Sequence, residues 1–232
     1  MTEININCFI LTETNLTRDE SDPFFLEGYN KFVLDRIKVQ ETGKYKKKGS
    51  GIFLFLENNL KNVSVNYNLS KCTNDGEFLV VQLSLNKQTI YIVGVYRPPS
   101  GNILNFIENF DKIMESTNKD KNSKLYVLGD FNINLYNTSS NYVNQYVDSM
   151  FSNNLYPTIS RATHFMGLNP TCIDHILTND ILNVKTSGIL IYNISHHMPT
   201  FLFTKLENNY PDSLNSDRKH RICINETTLA GF

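Results

Sequence analysis

The chain has 232 residues, of which 41% are apolar, and it carries 22 Lys and Arg against 23 Asp and Glu. A single α/β domain of this length is common, and the net charge of -1 gives no global sign of nucleic-acid binding, so any basic surface must be local. The four cysteines form no CxxC pair, no apolar run approaches the ~20 residues of a membrane helix, and the N-terminus lacks the positive charge of a signal peptide. We therefore expect an intracellular protein without a zinc site, a disulfide framework or a membrane span.

In chain order, short β-rich runs alternate with polar turns and with two helical stretches. The runs predicted as strands are INCFIL, GIFLFL, EFLVVQLSL, QTIYIVGVY, KLYVLG, CIDHIL, SGILIY and PTFLFTKL. Apolar residues recur with the helical period of about 3.6 residues in NILNFIENFDKIMEST and NYVNQYVDSMFSNN. Strands grouped before and after a helical middle predict an α/β (α+β) fold, in which packed sheets are flanked by helices, rather than a strict βαβ repeat.

Two polar segments lie outside this pattern. The basic segment Lys44–Lys48 precedes a Gly-Ser-Gly sequence and predicts an exposed hairpin loop, which is either a solvated turn or a phosphate-contacting loop. After Leu206 the chain becomes polar and then gives a basic cluster with a short amphipathic segment. We therefore expect residues 1–206 to form the domain, and residues 207–232 to be a linker or the start of a further region.

Polar residues interrupt the apolar strands at or near their ends. Glu13 follows the run CFIL as a lone carboxylate between Thr12 and Thr14, where it can either bind a hard cation such as Mg²⁺ or cap a turn. Tyr96 and Arg97 end another run before two prolines that forbid further strand or helix. The Arg97 guanidinium suits either a phosphate or an acidic partner that fixes the loop, and the Tyr96 hydroxyl is the better candidate for a phosphate contact.

The sequence GDFN continues an apolar run into an acid and an amide. Asp130 and Asn132 are two residues apart, so on an extended strand they are expected to project to the same side. A further acid, Asp174, lies within CIDHIL, and the adjacent His196 and His197 follow SGILIY. Because neighbouring strand residues point to opposite faces, only one of these histidines can share a pocket with Asp174, whose carboxylate would then fix its tautomer.

Five motifs together carry a resemblance to a known family. LTET, GVYRPPSGN, LGDFN, TCIDHILTN and SHHMP occur in the order and rough spacing of the endonuclease/exonuclease/phosphatase superfamily, whose members include deoxyribonuclease I and the abasic-site endonucleases. The residues of YRPPS, GDFN and IDHILTN are most similar to the endonuclease domain of non-LTR retrotransposons. The resemblance covers residues 6–206. It implies a deoxyribonuclease I-like two-sheet β-sandwich flanked by helices, an active site at one edge, Mg²⁺ (or Mn²⁺) as cofactor, and DNA as substrate.

The resemblance also implies a role for each matching residue. Glu13 resembles the metal-binding glutamate, and Tyr96 resembles the phosphate-contacting tyrosine. Asp130 matches the aspartate that positions or deprotonates the attacking water, and Asn132 matches the amide that holds the phosphate.

The last motif contains a departure from the family pattern. Asp174 resembles the carboxylate that orients the catalytic histidine, which His197 matches. The expected Ser-Asp-His is replaced by Ser195-His196-His197, so His196 stands where a carboxylate near the metal is expected. Because an imidazole replaces an anion at this position, we expect weaker metal binding.

A second departure concerns the N-terminus. The resemblance implies a strand that bears an Asn some tens of residues before the metal-binding glutamate, but only twelve residues precede Glu13 here. We therefore expect this N-terminal strand to be missing, so that one sheet has an exposed edge and fewer core contacts.

These features predict a metal-dependent phosphodiester hydrolase, namely the DNA-nicking endonuclease domain of a non-LTR retrotransposon, which would be nuclear if functional. Two alternatives stay open: a catalytically inactive retroelement remnant, and a phosphatase of the same superfamily. A comparison of DNA nicking with phosphate release separates the phosphatase from the endonuclease, and a Mg²⁺ titration separates the remnant from both.

Overall fold

The computed structural model describes residues 5–16, 18–21, 23–35, 50–85, 87–119, 122–166, 169–191, 195–205 and 221–227. The strands are β1 (Asn5–Thr12), β2 (Tyr29–Leu34), β3 (Ile52–Glu57), β4 (Val63–Val65), β5 (Lys71–Cys72), β6 (Glu77–Leu85), β7 (Gln88–Tyr96), β8 (Lys124–Asp130), β9 (Tyr156–Pro157), β10 (Asp174–Thr178), β11 (Val184–Ile189), β12 (Thr200–Thr204) and β13 (Arg221–Thr227). The helices are α1 (Arg18–Ser21), α2 (Ile103–Thr117) and α3 (Asn141–Ser152), with a 3₁₀ turn at Ile181–Asn183. Within these ranges, no helix is long and apolar enough to span a bilayer.

The first sheet has the strand order β11-β12-β13-β1-β3-β2. β1 pairs antiparallel with β3 on one side and parallel with β13 on the other, so backbone hydrogen bonding continues across both of its edges. The edge that we expected beside β1 is therefore filled, and that expectation was wrong.

The strand that fills this edge comes from the segment expected to be a linker. β13 aligns Arg221 with Asn5 and Thr227 with Thr12, and it also pairs antiparallel with β12. The sheet thus extends beyond the domain boundary expected at Leu206. The short apolar run ICI within RICINET is the sequence signal for this strand, because short runs rich in β-branched residues are typical of strands.

The second sheet has the order β4-β6-β7-β8-β10-β9, and β5 also pairs with β6. Alternate residues of β6 point to opposite faces: Leu79 and Val81 pack in a core shared with the first sheet, whereas Phe78 and Val80 pack in a core shared with α2 and α3. A sheet covered on both faces needs apolar residues at nearly every position, which explains the uninterrupted runs in β6, β7 and β8. The structure therefore confirms the predicted two-sheet sandwich with helices packed against it.

Both long helices lie where the apolar period predicts them. The Asn102 side chain accepts the backbone N–H groups of Leu104 and Asn105 and so caps the N-terminus of α2. α2 buries Phe106, Phe110, Ile113 and Met114, and α3 buries Val143, Tyr146 and Met150. The basic segment Lys44–Lys48 lies outside the described residues, so the loop predicted there stays a prediction.

Candidate functional site

Four polar residues lie in register at the ends of four neighbouring strands of the second sheet, and these strand ends form one edge of the sandwich. Glu77 of β6 is aligned with Tyr96 of β7, and Tyr96 is aligned with Asp130 of β8. Asp130 is in turn aligned with Asp174 of β10. Each of these residues is at most 2% exposed, although carboxylates are costly to bury without partners. The partners of these four groups therefore define the site.

The GDFN sequence forms a turn that closes on itself. The backbone N–H of Asn132 donates to Asp130 Oδ1 over 2.9 Å, and Asn132 Nδ2 donates to Asp130 Oδ2 over 3.1 Å. β8 ends at Asp130, and Asn132 has a φ of +48°, a left-handed conformation that Asn tolerates well. The two side chains meet as predicted, but they meet because the chain turns back, and the extended geometry that we expected for Asn132 was wrong.

Gly129 allows Asp130 to approach the neighbouring strand. It has a φ of +153°, and a Cβ added at this position would lie 1.8 Å from the carbonyl oxygen of Val95. A side chain cannot occupy that space, so a glycine is required immediately before Asp130. The close approach places the Asp130 backbone oxygen 2.9 Å from the backbone N–H of Arg97, which donates to it.

Asp174 and His197 form a hydrogen-bonded pair. His197 Nδ1 lies 3.0 Å from Asp174 Oδ2 and 3.1 Å from Oδ1, which leaves Nε2 as the ring nitrogen available for chemistry. Burial on its own lowers the pKa of His197, but the hydrogen bond and the charge of Asp174 outweigh it, so the pKa is raised. The imidazole therefore stays cationic to a higher pH than an exposed histidine does.

Thr163 links the two members of this pair, and sequence analysis did not predict its role. Its Oγ1 accepts the backbone N–H groups of Ile173 and Asp174 over 3.1 and 3.0 Å, and its carbonyl oxygen accepts the backbone N–H of Met198 over 2.6 Å. The residue is fully buried. A threonine within ATHFM gives no sequence signal of such a role, because the role depends on backbone groups from two distant segments.

Glu13 contacts the four aligned residues of the second sheet through Tyr96. The Tyr96 hydroxyl donates a hydrogen bond to Glu13 Oε1, so the Glu13 carboxylate joins the rest of the site rather than capping a turn. Burial raises the pKa of Tyr96, and the hydrogen bond and charge of Glu13 raise it further, so the phenol stays protonated and remains a donor. Glu13 itself has a φ of +53°, an uncommon conformation for a residue other than glycine or asparagine.

The carboxylates at this edge repel one another. Burial raises the pKa of Asp130 well above its usual range, and the nearby Asp174 charge raises it further. One ligand atom each from Asp130, Asp174 and His197 lies within 4.8 Å of the other two. A divalent cation suits the carboxylates of this group, because it would relieve their repulsion and because carboxylate oxygens are the ligands that Mg²⁺ prefers in proteins.

His196 and Arg97, which the sequence offered as possible ligands of a metal and of a phosphate, do not take these positions. The His196 side chain is exposed, and it is not among the three residues whose ligand atoms lie within 4.8 Å of one another. Arg97 is buried and donates to the carbonyl oxygens of Pro98, Gly101 and Asn132. It therefore fixes the loop through backbone oxygens rather than through the acidic partner that we considered.

Comparison with known proteins shows the fold. No family model and no curated protein matches the sequence. The endonuclease domain of TRAS1, a telomere-specific non-LTR retrotransposon, superposes with a TM-score of 0.63 at 13% identity, over 88% of this chain and 100% of that domain. An endonuclease/exonuclease/phosphatase family protein from Leptotrichia buccalis gives 0.62 at 13% identity, over 86% and 87% of the two chains.

A third solved structure carries a nucleic acid. The 3′ phosphatase NExo from Neisseria, bound to a product DNA hairpin, gives a TM-score of 0.61 at 14% identity, over 86% of this chain and 89% of that one. The resemblance found in the sequence is thus confirmed for the fold: the chain has the deoxyribonuclease I-like fold of endonuclease/exonuclease/phosphatase proteins.

Proposed function

We propose that this chain is a divalent-metal-dependent phosphodiester hydrolase that nicks DNA, as the endonuclease domain of a non-LTR retrotransposon does. One observation carries the proposal above all. The buried Asp130 carboxylate lies beside the Asp174–His197 pair, with one ligand atom from each of the three residues within 4.8 Å of the others. The motif residues Glu13 and Tyr96 are hydrogen-bonded to each other at the same edge.

The Glu13 carboxylate would hold the cation. Glu13 is the proposed ligand. Its Oε1 atom accepts a hydrogen bond from Tyr96, and its Oε2 atom accepts none from the described residues. Asp130 lies close enough to Glu13 to interact with its charge, which contributes to the raised pKa of Asp130. When bound, Mg²⁺ or Mn²⁺ supplies positive charge against the phosphate and polarises the phosphoryl oxygen.

The remaining residues divide the proton transfer and the charge stabilisation between them. Asp130 is the proposed general base, because a carboxylate with a raised pKa accepts a proton from water more readily than an exposed one. The ring of His197 is the proposed donor to the negative charge that develops on the phosphoryl oxygens. Tyr96 Oη and Asn132 Nδ2 donate to Glu13 and Asp130 in the metal-free chain, and they would exchange these acceptors for the phosphate. Asp174 orients His197 through Nδ1 and keeps it cationic.

DNA is the proposed substrate because of what the structural neighbours are. The TRAS1 domain is described as an endonuclease, and NExo was solved with a DNA product. The second of these is a 3′ phosphatase, so removal of a terminal phosphate is the alternative reaction for the same site.

Relaxation of a supercoiled plasmid tests the proposal. We expect the wild-type chain to nick the plasmid with Mg²⁺ or Mn²⁺ and to lose the activity in EDTA. The isosteric Asp130→Asn removes the base and should lower the nicking rate by about 10²- to 10⁴-fold. Asp111→Asn is a matched control, because this carboxylate accepts hydrogen bonds from Ser149 and Asn153 between α2 and α3, away from the site.

The outcomes separate the three hypotheses. Nicking that survives in full in Asp130→Asn would contradict the role given to Asp130. Phosphate release from a hairpin with a 3′-phosphate, without plasmid nicking, would favour the phosphatase. Failure of the wild type in both assays, together with no Mn²⁺ binding in a direct titration, would favour a remnant that keeps the fold without turnover.

A further inference from the structure

Glu77 is a buried carboxylate that belongs to none of the five sequence motifs. It begins β6, is 1% exposed, and lies in register with Tyr96 at the site edge of the second sheet. Burial of an ionised carboxylate costs several kcal/mol unless hydrogen bonds offset it. The groups that donate to Glu77 therefore indicate what it holds in place.

Both oxygens of Glu77 are directed at the bend that precedes β3. Ser50 Oγ donates to Oε1 over 2.5 Å, and the backbone N–H of Gly51 donates to Oε2 over 2.8 Å. Gly51 has a φ of +94°, which only glycine adopts readily, so the bend is a defined conformation rather than a continuation of the strand. Glu77 thus fixes the bend through one side chain and one backbone group.

The same bend holds the backbone that follows Glu13. The carbonyl oxygen of Gly51 accepts the N–H of Thr14 over 3.2 Å, and that of Ser50 accepts the N–H of Asn15 over 2.9 Å. Glu13 has a left-handed φ of +53°, which persists only where the surrounding structure enforces it. These two hydrogen bonds are the contacts from the bend that enforce it.

From these contacts we infer that Glu77 is a positioning residue for Glu13: its carboxylate fixes the Ser50–Gly51 bend, and the bend holds Glu13 where its own carboxylate meets Tyr96. The consequence for metal binding rests on the proposed function, in which Glu13 is a metal ligand. The positioning itself does not depend on that function, because it is a property of the metal-free chain.

Glu77→Gln tests the inference. The glutamine has one acceptor oxygen instead of two, so it can accept from the Gly51 N–H only if its NH₂ group turns to the Ser50 hydroxyl. It also loses the charge that strengthens both hydrogen bonds, so the bend loosens. In the absence of metal, we expect the amide hydrogens of Thr14 and Asn15 to exchange about tenfold faster or more, because their acceptors are no longer fixed. We also expect the Mn²⁺ affinity, measured by electron paramagnetic resonance, to fall about 10- to 100-fold.

Asp111→Asn is the matched control, since it also perturbs a carboxylate that accepts two hydrogen bonds, in this case from the side chains of Ser149 and Asn153. We expect it to lower the free energy of unfolding without changing Thr14 and Asn15 exchange or Mn²⁺ affinity. If Glu77→Gln does not fold, Ser50→Ala removes only the Ser50 donor, and both measurements are made on that variant with the same expected directions.

Each outcome decides a separate point. Unchanged exchange at Thr14 and Asn15 in the folded variant overturns the inference. Faster exchange with an unchanged Mn²⁺ affinity overturns its consequence for the metal. A wild-type chain that binds no Mn²⁺ contradicts the proposed function, and the exchange rates still decide whether Glu77 positions Glu13.

Discussion

The backbone N–H of Asp174 donates to the hydroxyl oxygen of Thr163 over 3.0 Å, and the same oxygen accepts the N–H of Ile173. One buried hydroxyl therefore satisfies two backbone donors beside the acid that orients His197. Since Thr163 also accepts the N–H of Met198, it joins the segments that carry Asp174 and His197.

Thr163→Val should destabilise the protein, because it keeps the shape of the side chain but removes the acceptor of two buried N–H groups. An unsatisfied buried donor costs about 1–3 kcal/mol, so we expect a loss of unfolding free energy of at least about 1 kcal/mol in urea. Thr163→Ser keeps the hydroxyl and is the control, with a smaller loss. A Thr163→Val variant that is as stable as the wild type, with a loss only in Thr163→Ser, would show that the methyl group, and not the hydroxyl, matters at this position.

Metal-free stability should fall as the pH rises through the range in which Asp130 and His197 ionise. Both groups have a raised pKa in the folded state, so each favours folding fully below its unfolded pKa and loses that contribution as the pH rises through its folded pKa. For Asp130 the loss begins near the unfolded value of about 3.9 and continues upward. The unfolding free energies of the wild type and of Asp130→Asn are measured in EDTA from pH 4 to 8. As the pH rises, the wild type should lose stability relative to Asp130→Asn. A constant difference would contradict the raised pKa of Asp130.

Tyr96→Phe should reduce activity more than stability. The phenol is a proposed donor to the phosphate, and removal of one such donor typically lowers the rate about 10²- to 10³-fold. The ring stays in place, so we expect the midpoint of thermal unfolding to change little. The check is a nicking time course at saturating Mg²⁺ together with a thermal melt. A rate within about threefold of the wild type would remove Tyr96 from the proposed set of donors.

His196→Asp should have only a modest effect on metal affinity. The residue is exposed, and charges at exposed positions are screened by water and salt. We expect the aspartate to strengthen Mn²⁺ binding by less than about tenfold, with His196→Asn as the control for loss of the imidazole. A larger gain would mean that His196 occupies a ligand position, as the resemblance of its motif to the family pattern implied.

The strands and helices that form the cores were predictable because their sequences are periodic and apolar. The runs that became β1, β3, β6, β7 and β8 are long, and both α2 and α3 show a clear apolar face. The strands not predicted are β2, β4, β5, β9 and β13. Of these, β4, β5 and β9 have only two or three residues, too few to show a period, and β13 lies in a segment whose polar surroundings suggested a linker.

The site was predictable where its residues interrupt apolar strands, and not elsewhere. These residues lie at strand ends, so the topology brings them to one edge: Glu13 follows β1, Tyr96 and Asp130 end β7 and β8, and Asp174 begins β10. Glu77 and Thr163 were missed because each acts by accepting hydrogen bonds from the backbone of segments distant in sequence. Such partners depend on the tertiary fold, so no local pattern of residues predicts them.

The parallel pairing of β1 with β13 also constrains how a nascent chain can fold. β1 and β3 emerge from the ribosome early, but the strand between β1 and β12 exists only after residues 221–227 have been made. At ~5–20 residues per second, synthesis of residues 58–227 takes about 10 to 30 s, during which one edge of β1 has no native partner. An unpaired edge readily recruits strands from other chains, so translation speed and chaperone access should influence the yield of folded protein.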